Sequence, residues 1–119
     1  MQDKETQRHV ATTSQPPVAR MIEDIVGCKW SLAVLQTIRN RILRPGAIQR
    51  SIEGISTKVL NERLTKMVRY GILVKESYLE VPPRVEYRLT RFGAKFLNVL
   101  DQIEMLQKEL LARNKSSDH

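Results

Sequence analysis

Three groups of residues in this chain have types and spacings that could do chemistry. Lys58, Asn61 and Glu62 fall on one side of a helical stretch, which is what contact with phosphates and base edges requires, although an ordinary solvated helix face has the same look. Glu62 would repel phosphate, so its part there would be to accept from a cytosine amino group or to orient a neighbouring cation. Arg84 follows Pro82-Pro83, whose fixed backbone angles would present a long cation at low entropic cost to a minor groove or its phosphates; a salt bridge to Glu86 or Glu80 is the alternative. Cys28 precedes Lys29 at a helix start, where positive charge and free amides favour a thiolate and make it a candidate redox sensor. Free cysteines are otherwise buried and inert. With one cysteine, a switch would need an intermolecular disulfide or a small-thiol adduct.

No catalytic constellation accompanies these groups. His9 and His119 lie in opposite tails, Glu23-Asp24 has no His or Cys at metal-ligand spacing, and no Gly-rich phosphate loop follows a strand. The expectation is a protein that is not an enzyme and uses no cofactor and no metal.

The charge supports a polyanionic partner. In 119 residues, 20 Lys and Arg stand against 13 Asp and Glu, for a net +7. Between Arg39 and Arg91 lie twelve cations and five anions, so this middle segment holds the whole excess and the flanks are neutral. A surface that replaces counterions around phosphates needs such segregation. At 41% hydrophobic and 28% charged, the chain is globular, and its length supports a single domain. One cysteine excludes an intramolecular disulfide framework and a Cys-cluster zinc site and fits the reducing cytoplasm. No apolar run reaches the 18 or so residues of a membrane span, and the polar N-terminus is unlike a signal peptide.

The elements that must position these groups follow from local pattern. Residues 1–17, with Pro16-Pro17 at their end, read as a flexible arm. Val18, Met21, Ile22, Ile25 and Val26 repeat at helical spacing up to Gly27, and a second helix from about Lys29 buries Trp30, Leu32, Val34, Leu35 and Ile38. Pro45-Gly46 breaks the chain before a short helix over residues 47–52. Ser56 is placed to cap a helix over residues 57–70, in which Leu60, Leu64 and Met67 share one face and Lys58, Glu62, Thr65 and Arg69 the other. The turn Glu53-Gly54-Ile55 between these helices suits a helix-turn-helix. Ile72 to Tyr78 and the alternating Arg84 to Leu89 predict a two-stranded antiparallel hairpin, and Thr90 can cap a last helix ending near Arg113, before a polar tail at 114–119.

This order is that of a winged helix-turn-helix: mainly α with a small β-hairpin (α+β), occupying residues 18–113. Such a unit suits double-stranded DNA because a helix fits the major groove and a hairpin at its side reaches neighbouring phosphates. A module with a basic surface that binds an acidic protein is the alternative from a different class.

The residues also resemble a family. Gly27-Cys28-Lys29-Trp30, then Gly54-Ile55-Ser56 with Lys58 and Leu60, and above all Val81-Pro82-Pro83-Arg84-Val85-Glu86-Tyr87 followed by Leu89-Thr90 closely resemble the HxlR-type bacterial transcriptional regulators, within the MarR-like superfamily. The resemblance covers about residues 18–100 and implies a homodimeric regulator that binds operator DNA. Cys28 stands where the family usually has Gly, Pro45 where it often has Phe, and Pro17 where a cysteine is common, so redox sensing through that upstream cysteine is not carried over. The candidate DNA-contacting set is Arg44, Ser56, Thr57, Lys58, Asn61, Glu62, Arg63 and Arg84.

The last helix carries a second expectation. Phe92, Phe96, Val99, Ile103, Leu106 and Leu110 are spaced 4, 3, 4, 3 and 4 residues apart, a heptad seam widened by Leu97, Leu100 and Leu111. Phe92 and Phe96 can pack on the chain's own hairpin, but the later residues run past a small core. The expected homodimer interface is therefore Val99, Ile103, Leu106 and Leu110 together with Val18, Met21, Ile22 and Ile25 of the first helix, the N- and C-terminal helices forming it jointly.

Overall fold

Apolar residues at three-to-four spacing wind the chain into five helices, in a computed structural model that describes residues 6–9 and 15–117. They are α1 (Val18–Val26), α2 (Lys29–Arg39), α3 (Pro45–Ser51), α4 (Thr57–Arg69) and α5 (Arg91–Ser117). Strands β1 (Thr6–His9), β2 (Leu73–Tyr78) and β3 (Arg84–Leu89) form an antiparallel sheet in the order β1-β2-β3. The expected hairpin is β2 and β3, with Leu73 opposite Leu89 and Tyr78 opposite Arg84. Residues 1–5 and 10–14 of the expected arm and the end of the polar tail lie outside the described residues.

Three expectations about the elements are corrected. Thr6–His9, placed by sequence in a flexible arm, run along the outer edge of β2 with Arg8 opposite Glu76. An unpaired strand edge offers hydrogen-bonding groups to any extended segment that can reach it, and the periodicity of the segment itself does not reveal this. The helix α3 starts at Pro45 and not at residue 47, because proline at the first helical position lacks only an N–H that would have no partner there. Helix α5 continues through Ser117, past the expected end at Arg113 and into the expected tail.

The core sits where α2, α4 and α5 meet the base of the sheet. Val34, Leu35 and Ile38 of α2, Leu60, Leu64 and Met67 of α4, Ile72 and Leu73, and Phe96, Leu97 and Leu100 of α5 are all buried in it. Trp30 and Leu32, expected inside, are only partly buried against this cluster. Glycine matters most at two places. Gly54 holds φ +87° in the turn between α3 and α4, with Trp30 close to where a side chain would begin. A Cβ on Gly93 would lie 2.0 Å from the Ile72 carbonyl oxygen, so α5 approaches the sheet as closely as it does only because that atom is missing. Thr90 organises the same junction: its hydroxyl accepts from Gly93 N–H at 2.9 Å and its N–H donates to the Ile72 carbonyl at 3.0 Å.

Among the described residues no helix is long and apolar enough to cross a membrane, and no group of three or more His, Cys, Asp or Glu is arranged to hold a metal.

Candidate nucleic-acid interface

Helix α4 is fixed from both ends and from below. At its start the Ser56 hydroxyl accepts the Val59 N–H at 3.1 Å, and the Thr57 hydroxyl meets the Gln49 carboxamide of α3 at 3.0 Å. Beneath it, Leu60, Leu64 and Met67 are anchored in the core. At its C-terminal end the Tyr70 hydroxyl donates to the Asp24 carboxylate of α1, and Lys66 Nζ lies 3.4 Å from the same carboxylate. The outward face carries Lys58, Asn61, Glu62, Thr65 and Arg69, all exposed.

The structure thus separates the expected contact residues by role. Lys58, Asn61 and Glu62 are exposed on the outer face, while the Ser56 and Thr57 hydroxyls are engaged in holding the helix. Arg63 is turned partly inward, with its Nε buried and without a hydrogen-bond partner among the described residues, and its charge acts on Cys28. Arg44 is exposed at the N-cap of α3. Beside it Arg41 takes a left-handed backbone (φ 71°) at the corner after α2, a conformation that Gly or Asn more commonly supplies. Gln49 was missed by sequence reasoning because its partner is set by how α3 crosses α4, not by any local pattern.

The hairpin has a different character. Arg84 Nη2 pairs with Glu80 at 3.1 Å, its Nε lies 3.6 Å from Glu86, and its guanidinium stacks over the Tyr78 ring at 4.0 Å. The salt bridge that the sequence offered as the alternative for this residue is present. Arg88 joins buried Glu76 at 2.8 Å and Glu86 at 2.7 Å. Lys75, Arg84 and Arg88 are matched in number by Glu76, Glu80 and Glu86, so residues 73–89 carry no net charge. Residues 40–69 carry seven cations against two anions. The basic excess therefore belongs to the helix-turn-helix and not to the hairpin. At the hairpin tip Leu79 and Val81 are exposed beside Pro82 and Pro83. The loop after α2 is latched to β3 by Tyr87 N–H donating to the Leu43 carbonyl at 2.9 Å, which holds the hairpin against the helices.

Cys28 lies at the N-cap of α2, half-buried. Burial pushes its thiol up, but the Ser31 hydroxyl and the amides of Ser31 and Trp30, with the Arg63 charge, outweigh this and leave it below the usual thiol range.

The faces expected to pair two copies divide as well. Val18 of α1 and Val99, Leu106 and Leu110 of α5 are exposed, as are Met105 and Leu111. Met21 and Ile25 are corrected: they are 2% and 0% exposed in the chain's own core, because the stripe they form packs inward, so they have no surface left for a partner. Ile22 and Ile103 are partly buried against the same core.

Comparison with known proteins agrees with this geometry. The model of the HxlR-like helix-turn-helix family matches residues 25–115. An uncharacterised helix-turn-helix-type transcriptional regulator from Synechocystis is 35% identical over 95 residues, which cover 80% of this chain and 70% of that protein. A MarR-family transcriptional regulator from Enterococcus faecalis superimposes with a TM-score of 0.72 at 30% identity, covering 88% of this chain and 94% of that one. The redox regulator HypR in its oxidised form gives 0.66 at 26% identity, over 76% and 94% of the two chains. With its helix-turn-helix, wing and long last helix, the chain belongs to the HxlR-like helix-turn-helix family of transcriptional regulators and has the MarR-like winged fold.

Proposed function

We propose that this regulator acts as a homodimer on double-stranded operator DNA in the cytoplasm, each copy laying α4 in a major groove. The observation that carries the reading is the exposed Lys58, Asn61 and Glu62 face on a helix clamped at both ends, within a segment that holds seven cations to two anions. Affinity then comes from counterion release by Arg44, Lys58 and their neighbours, and specificity from Asn61 and Glu62. Twofold symmetry through α5 and Val18 of α1 places two such helices about 34–36 Å apart, so the operator is an inverted repeat. Salt-titrated binding to duplexes selected from a random pool tests the reading. A steep salt slope with a preferred inverted repeat is expected; a steep slope with no preferred site, or no binding, points instead to a basic module for an acidic protein.

A redox-responsive form of the same function is favoured by the place of Cys28, half-buried at the N-cap of α2, where Ser31 and the first amides of the helix favour its thiolate. Loss of operator binding under mild diamide in the unaltered chain, absent in Cys28→Ser, is its test.

A further inference from the structure

We infer that Glu80 is an intramolecular stand-in for a DNA phosphate, holding Arg84 at the wing until duplex DNA displaces it; the inference rests on the DNA-binding reading above. Arg84 has three neighbours on three sides: Glu80 on Nη2 at 3.1 Å, Glu86 facing Nε at 3.6 Å, and the Tyr78 ring under the guanidinium plane at 4.0 Å. They differ in how easily they can be replaced. Tyr78 lies directly across the hairpin from Arg84, and Glu86 is 12% exposed and also bound to Arg88, so both belong to the body of the sheet. Glu80 is 43% exposed, in the loop beyond the sheet, where its N–H donates to the Tyr78 carbonyl at 2.9 Å and its carboxylate meets Arg84 four residues on.

A partly exposed ion pair of this kind contributes little, whereas a charge-assisted contact from arginine to phosphate is stronger and gains from counterion release. The exchange therefore runs toward the phosphate when DNA is present. Arg84 Nη2, which Glu80 occupies at 3.1 Å, can bind a phosphate only after Glu80 has let go. The Tyr78 ring meanwhile stays under the guanidinium, so the swap moves one carboxylate and leaves the arginine in place. Glu80 thereby lowers the affinity for duplex by the worth of its own bond to Arg84.

The test is a double-mutant cycle on the full chain, using Glu80→Gln, Arg84→Gln and the pair, read by titration of a labelled duplex at fixed salt. Glu80→Gln is expected to tighten binding about 1.4- to 5-fold, the fold-change equivalent of an exposed ion pair. In the Arg84→Gln background the same change is expected to have little effect. An unchanged affinity for Glu80→Gln overturns the inference, and so does an equal gain with and without Arg84, which would make Glu80 a plain repulsive charge. Both results leave the DNA-binding reading standing. Failure of the unaltered chain to bind any duplex overturns both.

Discussion

Tyr70, just past the end of α4, donates its hydroxyl to the Asp24 carboxylate on α1, so the helix proposed to read DNA is fastened to the first helix of the fold. The two groups shift each other. The hydrogen bond from Tyr70, with Lys66 and Arg20 nearby, holds Asp24 below its ordinary 3.8. Burial first, and then Asp24, holds Tyr70 above its ordinary 10.0. Folded Asp24 takes up a proton less readily than unfolded, so its contribution to stability is full above pH 3.8 and is lost as pH falls through the folded value. Asp101, held down by the two-point pair it makes with Arg39, acts in the same direction. Folded Tyr70 keeps its proton longer than unfolded, so its contribution is full below pH 10.0 and is lost as pH rises through the folded value. Absorbance at alkaline pH, taken as the difference from Tyr70→Phe, should place the Tyr70 midpoint above 10.0, and Asp24→Asn should bring it only part of the way down because burial is the larger cause. An unmoved midpoint in Asp24→Asn would show that the carboxylate does not act on the phenol.

On the reading face, Lys58 and Asn61 should separate affinity from specificity. Lys58→Ala is expected to weaken binding to all duplexes about equally and to lower the salt slope by about one unit. Asn61→Ala is expected to lose about 1–3 kcal/mol at one base position and to relax the preference there. Equal loss on selected and random duplexes for Asn61→Ala would remove it from base readout.

Dimerisation is best tested away from the monomer's own core. Ile103 packs partly against that core, so a charge there would damage the fold as well as any interface. Leu106 and Leu110 are 64% and 46% exposed. Burying such side chains against a second copy is worth roughly 1.5–3 kcal/mol each. Sedimentation should show a dimer for the unaltered chain at micromolar concentration and a monomer for Leu106→Glu/Leu110→Glu with an unchanged circular dichroism spectrum. A double variant that remains dimeric places the interface elsewhere.

Cys28 should react early. With its thiol held below the usual range, alkylation rates measured across pH should rise at lower pH than for a free cysteine, and Arg63→Ala should move the profile upward, though only slightly, since the charge is the smallest of the causes. A profile matching an unperturbed thiol would count against any sensing role.

Gly93→Ala should destabilise the fold by about 1–3 kcal/mol, because the new methyl would meet the Ile72 carbonyl and force α5 away from the sheet. Thermal unfolding checks this, and a change within a few tenths of a kcal/mol would mean that α5 shifts without cost.

Much of this domain was legible from short-range pattern. Leu60, Leu64 and Met67 at helical spacing, the Ser56 cap, the turn at Gly54 and the alternation from Arg84 to Leu89 each involve residues within one element, where 3.6- and 2-residue periods decide which side faces in. The concentration of cations between Arg39 and Arg91 likewise needed only counting. What the sequence left open were pairings between elements. Met21 and Ile25 have the same spacing as an interface stripe, and only the packing of α1 onto its neighbours put them inside. Arg84 had both Glu80 and Glu86 within reach along the chain, and only the folded hairpin shows both carboxylates at its guanidinium, with Tyr78 set opposite it. Gln49 on Thr57, Asp24 on Tyr70 and Thr6–His9 along β2 depend on crossing angles and on a free strand edge, which no local window contains. Periodicity is a property of one segment, whereas a contact is a property of two, and the second segment is chosen by the tertiary fold.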